Sequence, residues 1–360
     1  NVVDTPLTIV DCADEAELAA VRERLYCVSP SLAVAPPFIV VLARGAASDS
    51  PLLNLHHAAG DGIGAVRLVL SILRAYAGAE DPFPALDPLE ARDVDALTGT
   101  TTPAERLDRR RAVWRQAAED WLAGPPARLA TAGGADDPGY GFELIALSAE
   151  ETEIVRGHRT ALTTINDVLL AGLAVAIERW NQDHDRPTRR IALTMPVNLR
   201  PPEWRTEVLA NLASYTTVSV GRGQRDDLGA ALEAAVKGTR TIKDHGLAGT
   251  VVDQLRRLRT LPVRVKQMLP ALIPLTGNVV VDTASLSNLG ELEPFPWLGD
   301  DAGTVEAVWF SPPNRMPLGA SFGAATLDGR LHLTLRYRRA QFDGDAAAAF
   351  AKLYRDVLAP

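Results

Sequence analysis

Two adjacent histidines are the residues of this chain best suited to chemistry. His56 and His57 stand side by side, and three residues separate them from Asp61 and Gly62. A neutral histidine side chain can accept a proton from an alcohol or an amine near physiological pH, because its ordinary pKa is about 6.5. The pair therefore predicts a site of proton transfer, with the carboxylate of Asp61 close by in the chain.

The residues around the histidines predict how the fold presents them. Phe38 to Leu42 is rich in β-branched residues and Leu52 to Leu55 is a short apolar run, so together they predict a hairpin. Gly60 and Gly62 predict a tight turn, and the apolar stripe from Ile63 to about Ala77 predicts a helix. The histidines thus lie where a strand gives way to a loop, a common position for catalytic groups.

Strand and helix signals alternate over the rest of the chain and predict an α/β or mixed α+β architecture in two lobes. Further strands are predicted at 142–147, 191–197, 213–220, 278–286, 304–310, 319–326 and 331–336. Further helices are predicted at 102–122, 148–158, 165–180 and 343–358, and over most of 224–272 with a break at Pro262. Asp328 and Gly329 predict a tight hairpin turn. Residues 124–141 are rich in Gly and Pro, so we place the N-terminal lobe at 1–141 and the C-terminal lobe at 142–360.

Composition and charge narrow the class of protein. The chain has 360 residues, enough for two lobes with separate cores. Its net charge of −8 argues against a general nucleic-acid binder. Cys12 and Cys27 lack the spacing of a metal site, and no apolar run reaches the roughly 18 residues that a membrane span needs. We therefore expect a cytoplasmic protein with no metal and no stable membrane insertion.

The histidine pattern resembles the HHxxxDG motif of the condensation-domain superfamily of acyltransferases. This group includes nonribosomal-peptide condensation domains, polyketide-associated acyltransferases, wax ester synthases, BAHD enzymes and, more distantly, chloramphenicol acetyltransferase. The stretches 35–38, 164–170, 195–201, 209–212 and 287–290 also resemble the superfamily, so the resemblance covers about residues 11–358. It looks closest to standalone polyketide-associated acyltransferases and wax ester synthases.

The resemblance implies a fold and a place for the histidines. The expected fold has two chloramphenicol-acetyltransferase-like lobes that form a pseudo-dimer, with the histidine loop at the bottom of a tunnel between them. Members of the superfamily begin several dozen residues earlier, with a strand and a helix that line the tunnel. We therefore expect an upstream segment that this sequence does not contain.

The resemblance also implies a role for each residue of the motif. His57 matches the general base, and His56 is expected to hold the loop by hydrogen bonds. Asp61 is expected to point away from the base and to pair with Arg200, which matches the motif-pairing arginine. The backbone N–H groups around Asp61 and Gly62, at a helix start, are expected to polarise a thioester carbonyl. The alternative for His57 is that it only positions a substrate.

One polar pair and two basic stretches each have two possible interpretations. Ser287 and Asn288 close a predicted buried strand beside the expected tunnel, so they either contact substrate or form an Asx turn before Gly290. Basic residues are concentrated in two stretches, which either form a rim for an anionic acyl donor or are solvated helix faces. These stretches comprise Arg106, Arg109, Arg110, Arg111 and Arg115, and Arg256, Arg257, Arg259, Arg264 and Lys266.

The reaction implied by the resemblance moves an acyl group from a thioester to a small-molecule alcohol or amine, in natural-product or lipid biosynthesis. The acyl donor is expected on coenzyme A or on the phosphopantetheine arm of an acyl carrier protein, with no resident cofactor. Two alternatives stay open. One is a non-catalytic module that docks a carrier protein, and the other is the same fold acting in epimerisation or cyclisation.

Overall fold

The computed structural model describes residues 6–82, 102–134, 138–186, 188–201, 204, 208–268, 281–314 and 319–360. Within these ranges the chain forms two β-sheets with helices packed against them, so the expected mixed α/β architecture is confirmed. The strands are β1 (Leu7–Asp11), β2 (Phe38–Arg44), β3 (Asp49–Leu55), β4 (Tyr140–Ala146), β5 (Ile191–Asn198), β6 (Ala213–Val220), β7 (Ala284–Glu291), β8 (Ala320–Leu327) and β9 (Arg330–Arg338). The α-helices are α1 (Glu15–Tyr26), α2 (Gly62–Tyr76), α3 (Pro103–Ala123), α4 (Ala149–Gly157), α5 (Ile165–Asp183), α6 (Leu228–Asp244), α7 (Thr250–Leu258), α8 (Val263–Met268) and α9 (Gly344–Leu358). In this part of the chain no helix is both long and apolar enough to cross a lipid bilayer.

The smaller sheet presents the histidines. Strand β1 pairs with β2 in parallel, and β2 pairs with β3 in the predicted antiparallel hairpin, with Phe38 opposite Leu55. Helix α1 packs on this sheet and buries Val21 and Leu25 in its core. The hairpin therefore fixes the end of β3, directly before His56.

The larger sheet has the strand order β4-β9-β8-β7-β5-β6. Strand β7 pairs in parallel with both β5 and β8, and the other pairs are antiparallel. The β8–β9 hairpin turns at Asp328 and Gly329, whose φ values are 47° and 75°. Positive φ at both central residues is what this kind of two-residue turn requires, so the predicted hairpin is confirmed.

Helix α5 lies at the centre of the larger core. Residues 168–171 are 0 % exposed, which confirms the prediction of a buried helix. The helix begins with a capping box in which Thr164 and Asp167 each bond the backbone N–H of the other. It packs against α6 and α9, and these three helices contribute to the larger core.

Helix α3 connects the two halves of the chain. Its predicted capping box is present, with Thr102 and Glu105 bonding each other's backbone N–H groups. Although the predicted division at residue 141 assigns α3 to the N-terminal lobe, Ala112 is buried in the larger core, and the Gln116 side chain donates to the Thr217 carbonyl on β6. Residues 135–137 of the predicted linker lie outside the described residues, and the lobe boundary stays a prediction.

The predicted strand at 304–310 is wrong. This segment forms neither a helix nor a strand ladder in the structure. It crosses over β8 so closely that a Cβ on Gly323 would lie 1.7 Å from the Phe310 carbonyl oxygen. Both edges of β8 are already paired, with β7 and β9. The apolar alternation of the segment therefore reflects packing across a sheet face rather than pairing at an edge.

Strand β7 is shifted relative to the prediction, since it begins at Ala284 and ends at Glu291. Ser287 and Asn288 do not close it, because the parallel pairing with β8 continues through Ser287 and Asn288 to Glu291, with an irregular register after Asn288. Residues 278–280 of the predicted strand lie outside the described residues. The predicted helical region at 224–272 is interrupted first at Gly246, with φ of 57°, and only later before Pro262. Its last four residues also lie outside the described part.

A partly buried carboxylate, bonded by one threonine of β5 and one of β6, gives a stability prediction. The hydroxyls of Thr194 and Thr217 donate to Asp282 at 2.6 and 2.7 Å, but burial raises the pKa of this carboxyl. Its contribution to stability is therefore full below the ordinary Asp pKa of about 3.9 and is lost as pH rises through the higher folded value. Asp282→Asn should raise the thermal midpoint by a few degrees at pH 8, and the difference should vanish near pH 4. Asp226→Asn, at an exposed site, is the control, and a lower midpoint for Asp282→Asn at pH 8 would contradict the prediction.

Candidate active site

His56 is fastened to its own loop. Its backbone N–H donates to the Pro37 carbonyl at 3.0 Å, and its carbonyl accepts from the Ala59 N–H at 2.8 Å. The ring Nδ1 accepts from the Ala58 N–H at 3.0 Å. Both the ring and the backbone of His56 are thus engaged in holding the turn that follows β3.

His57 is the more exposed histidine of the pair. Its ring Nδ1 lies 3.2 Å from the carbonyl oxygen of Gly60. A carbonyl oxygen only accepts hydrogen bonds, so this contact assigns the proton of a neutral ring to Nδ1. Nε2 then carries the lone pair, which is the atom that a proton acceptor needs. The loop therefore presents the His57 ring in the tautomer suited to a base.

Asp61 forms the predicted pair with Arg200. Arg200 Nη1 donates to Asp61 Oδ2 at 2.6 Å and Nη2 donates to Oδ1 at 2.8 Å, and the two side chains are 1 % and 4 % exposed. The backbone N–H groups of Gly64 and Leu212 also donate to the carboxylate, at 2.9 and 2.8 Å. Such a bidentate, charge-assisted pair joins residues 139 positions apart and directs Asp61 away from the His57 ring.

Arg200 is itself oriented by the end of β5 and by residues 208–210. Asn198 Oδ1 accepts from the backbone N–H and from Nη1 of Arg200, at 3.0 and 3.3 Å. Nη2 donates to the Val208 and Ala210 carbonyls at 3.3 and 2.8 Å. The guanidinium therefore serves as a junction between the larger sheet and the histidine loop.

Asn211 is a site residue whose role the sequence did not indicate. Its side-chain Nδ2 donates to the backbone carbonyl of His57 at 2.7 Å. The stretch 209–212 carried the resemblance, but nothing in its composition pointed to a contact 154 residues away. Asn211 holds the backbone of His57 from the larger half of the molecule.

Gly62 begins helix α2 where three parts of the chain meet. A Cβ at this position would lie 2.7 Å from Leu289 Cδ2 and 2.9 Å from Phe310 Cζ, so a larger residue would displace one of them. The expectation that the Asp61 N–H polarises a substrate carbonyl is wrong, because this group donates to the Ala210 carbonyl at 3.3 Å. The Gly62 N–H remains the candidate for that role.

Ser287 and Asn288 lie in β7, directly before Leu289, which contacts the start of α2. Asn288 Oδ1 accepts from the Gly290 N–H at 2.9 Å, which is the bond of the alternative Asx turn. Ser287 is buried, and Leu289 rather than either polar residue contacts the start of α2. Phe310 is the second contact that sequence reasoning missed, since its segment was assigned to a strand.

The two basic stretches meet at Asp253. Arg109 on α3 donates to Asp253 on α7 at 2.8 Å, and its side chain is 8 % exposed. Arg256 also pairs with Asp253, at 3.3 Å. Arg109 therefore has a packing role, whereas Arg110 and Arg111 face solvent on the same helix.

A cavity of about 480 Å³ lies at the start of β2. Its walls are mainly apolar and include Pro30, Val34, Pro36 and Phe38. Its lining residues Pro36 and Phe38 flank Pro37, whose carbonyl accepts from the His56 N–H. His57 is not among the lining residues. The cavity is thus a neighbour of the loop backbone.

Comparison with known proteins shows two close relatives. No protein-family model matches the chain. Two proteins of Mycobacterium tuberculosis, uncharacterized protein MT2362 and uncharacterized protein Rv2305, are each 36 % identical to it over 354 residues. These residues cover 97 % of this chain and 81 % of each relative.

Solved structures identify the fold. The first condensation domain of the CDA synthetase superposes with a TM-score of 0.66 at 13 % identity, over 98 % of this chain and 74 % of that chain. The NRPS cyclization-docking bidomain from Sorangium cellulosum gives 0.65 at 16 % identity, over 99 % and 71 %. The epimerization domain from the third module of tyrocidine synthetase B gives 0.62 at 20 % identity, over 98 % and 78 %. The chain therefore has the condensation-domain fold.

Proposed function

The chain belongs to one family with the two mycobacterial proteins and, by its fold, to the condensation-domain superfamily, and from this premise we propose that it is an acyltransferase. It moves an acyl group from a thioester to a small-molecule alcohol or amine. The observation that carries the proposal is the contact between His57 Nδ1 and the Gly60 carbonyl, which leaves Nε2 as a proton acceptor. The peptide synthetases among the fold neighbours support a setting in natural-product biosynthesis, with lipid biosynthesis as the alternative.

The proposed reaction is direct transfer in one complex of donor and acceptor. His57 Nε2 takes the proton from the acceptor hydroxyl or amine as that atom attacks the thioester carbonyl. The new C–O or C–N bond forms, the C–S bond breaks, and the proton passes from the His57 ring to the leaving thiolate. No acyl-enzyme is needed, because the histidine loop carries no Ser or Cys beside the base.

The start of helix α2 is proposed to stabilise the developing oxyanion. The Gly62 N–H lies at the N-terminus of a 15-residue helix, where the helix dipole favours negative charge. The acyl donor is proposed to arrive on coenzyme A or on the phosphopantetheine arm of an acyl carrier protein. Ser287 and Asn288 stay proposed substrate contacts, since Leu289 beside them packs against Gly62.

The proposal is tested by acceptor-dependent thiol release. The chain is incubated with acyl-coenzyme A donors of increasing length, or with an acyl carrier protein, and with a panel of alcohols and amines. Free thiol is measured with a thiol reagent, and the product is identified by mass spectrometry. We expect thiol to appear only with both substrates present, together with an ester or amide of the added acceptor.

Other outcomes of the same experiment identify the alternatives. If no donor releases thiol while the chain still binds the carrier protein, it is a docking module without turnover. If the thioester survives and the configuration at its α-carbon inverts, the chain acts in epimerisation. If the product instead forms a ring with loss of water, the chain acts in cyclisation. Chiral chromatography and product mass distinguish these two cases.

Asn211→Ala should lower kcat/KM about fivefold, because one hydrogen bond of ~1 kcal/mol that positions the base is lost. Asn211 is exposed, so the thermal midpoint should stay near that of the parent. Leu209→Ala, an exposed position two residues away, is the matched control. Equal activity of Asn211→Ala and Leu209→Ala would contradict the positioning role.

A further inference from the structure

One face of helix α3 packs against the rest of the molecule. Arg109, Ala112 and Gln116 lie on this face, and they contact α7, the larger core and β6 respectively. Asp120 continues it one turn later and pairs with Arg190 at 3.0 Å. With about 3.6 residues per turn, these positions form a single stripe along the helix.

The opposite side of α3 carries large apolar side chains in solvent. Leu107, Trp114 and Trp121 repeat every seven residues, which places them on one line about half a turn from Arg109. They are 46, 73 and 77 % exposed, and Leu122 beside them is 87 % exposed. These four side chains form the exposed apolar side of α3, which we name the tryptophan face.

Charge is segregated around the tryptophan face. Arg110, Arg111 and Arg115 are exposed and stand on or beside it. Most acidic residues of the helix are bonded elsewhere: Asp108 with His245 at 2.7 Å, Asp120 with Arg190, and Glu105 in the capping box. The outward side of α3 is therefore apolar and cationic in a chain whose net charge is −8.

Helices α7 and α8 are similarly cationic, with exposed apolar side chains. Asp253 on α7 pairs with Arg109 on the packing face of α3. Residues 250–268 contain five basic side chains and one acid, Asp253. Leu255, Val263 and Met268 are 50, 66 and 66 % exposed. A second cationic helical segment with exposed apolar side chains thus follows on the packing side of α3.

We propose that the tryptophan face docks the protein on an anionic phospholipid surface, with α3 lying in the plane of the headgroups. Indole rings favour the boundary between water and acyl chains, and arginines beside them reach lipid phosphates while their stems stay apolar. A convex ridge of about 22 Å, from Leu107 to Leu122, fits a deformable lipid surface better than a preformed protein groove. This inference is independent of acyl transfer.

Sedimentation with lipid vesicles tests the proposal. The chain is mixed with vesicles of phosphatidylcholine and phosphatidylglycerol, or of phosphatidylcholine alone, at increasing NaCl. We expect binding to the anionic vesicles that falls with salt, because salt screens the arginines. Trp114→Ser/Trp121→Ser should lower the partition coefficient about tenfold or more, and Arg110→Gln/Arg111→Gln/Arg115→Gln should remove the preference for phosphatidylglycerol.

Matched controls separate docking from general effects. Trp297→Ser removes another exposed tryptophan, and Arg222→Gln/Arg240→Gln/Arg330→Gln removes three exposed arginines elsewhere. Both should bind vesicles as the parent does, with circular dichroism confirming that every variant is folded. The proposal is overturned if the parent does not sediment with anionic vesicles, or if the tryptophan variant sediments equally well. Loss of self-association or of carrier-protein binding in that variant, without an effect on vesicle binding, would assign the face to a protein partner instead.

Discussion

His57→Ala is expected to lower kcat/KM for acyl transfer by about 10²- to 10⁴-fold, the range that a positioned general base contributes. The loss follows because the variant has no atom at the place of Nε2 to take the acceptor proton. His57 is exposed, and its ring makes one hydrogen bond within the loop, so the folded state should persist. Acceptor-dependent thiol release measures the rate, and thermal unfolding shows that the variant is folded.

The acceptor series makes this prediction specific to proton transfer. Acceptors of low pKa, which need less help from a base, should show a smaller difference between His57→Ala and the parent. His245→Gln, which changes a partly exposed histidine that bonds Asp108, should keep parental activity. If His57→Ala retains the parental rate within about threefold, or loses it equally for every acceptor, His57 positions substrate rather than acting as a base.

Arg200→Ala is expected to lower the free energy of unfolding by about 3–5 kcal/mol, because it leaves the buried carboxylate of Asp61 without its counter-charge. Two backbone N–H groups would still donate to that carboxylate, but they carry no full charge. Arg200→Lys keeps the charge and loses the bidentate geometry, so its cost should be intermediate. Urea denaturation measures the differences.

A double-mutant cycle separates the pair from its surroundings. Asp61→Leu/Arg200→Met removes both charges, so it should be more stable than the sum of the two single changes predicts. Asp61 also caps helix α2, so this double variant should still lose about 1 kcal/mol relative to the parent. Lys352→Ala, which breaks an exposed i,i+4 pair, should cost no more than about 0.5 kcal/mol.

The expectation for Arg200 fails if Arg200→Ala unfolds at the parental urea concentration. In that case the pair would be dispensable for folding, and its place beside the loop would have to be explained by activity alone. Arg200→Ala should reduce activity as well. The guanidinium donates to the Ala210 carbonyl, and the next residue, Asn211, donates to the backbone carbonyl of His57. This loss should remain in conditions that keep the variant folded.

The sequence by itself determined most of the local structure. The capping boxes at Thr102 and Thr164 and the Asp328–Gly329 turn are as predicted, because each signal involves residues only a few positions apart. The mostly buried helix α5 and the hairpin before His56 followed from apolar patterning in the same way. The histidine motif was visible for the same reason, since its residues are neighbours in the chain.

The tertiary structure decided which distant residues meet this motif. Resemblance to the superfamily, and not spacing, predicted Arg200, whereas Asn211 and Phe310 were missed because their contacts join residues more than 150 positions apart. The strand predicted at 304–310 failed for a related reason. An extended apolar segment has the same pattern whether it pairs at a sheet edge or crosses a sheet face, and only the occupied edges of β8 distinguish the two.

The two histidines also show which properties follow from the sequence and which depend on the tertiary structure. Their identity and order are properties of the sequence, but the tautomer of His57 depends on the Gly60 carbonyl, and its backbone position depends on an amide from the other half of the chain. A proton can be assigned to a ring nitrogen only when the acceptor beside that nitrogen is known. The residue types of this site are therefore determined by a short stretch of sequence, and its geometry is set by contacts between the histidine loop and residues 200–212.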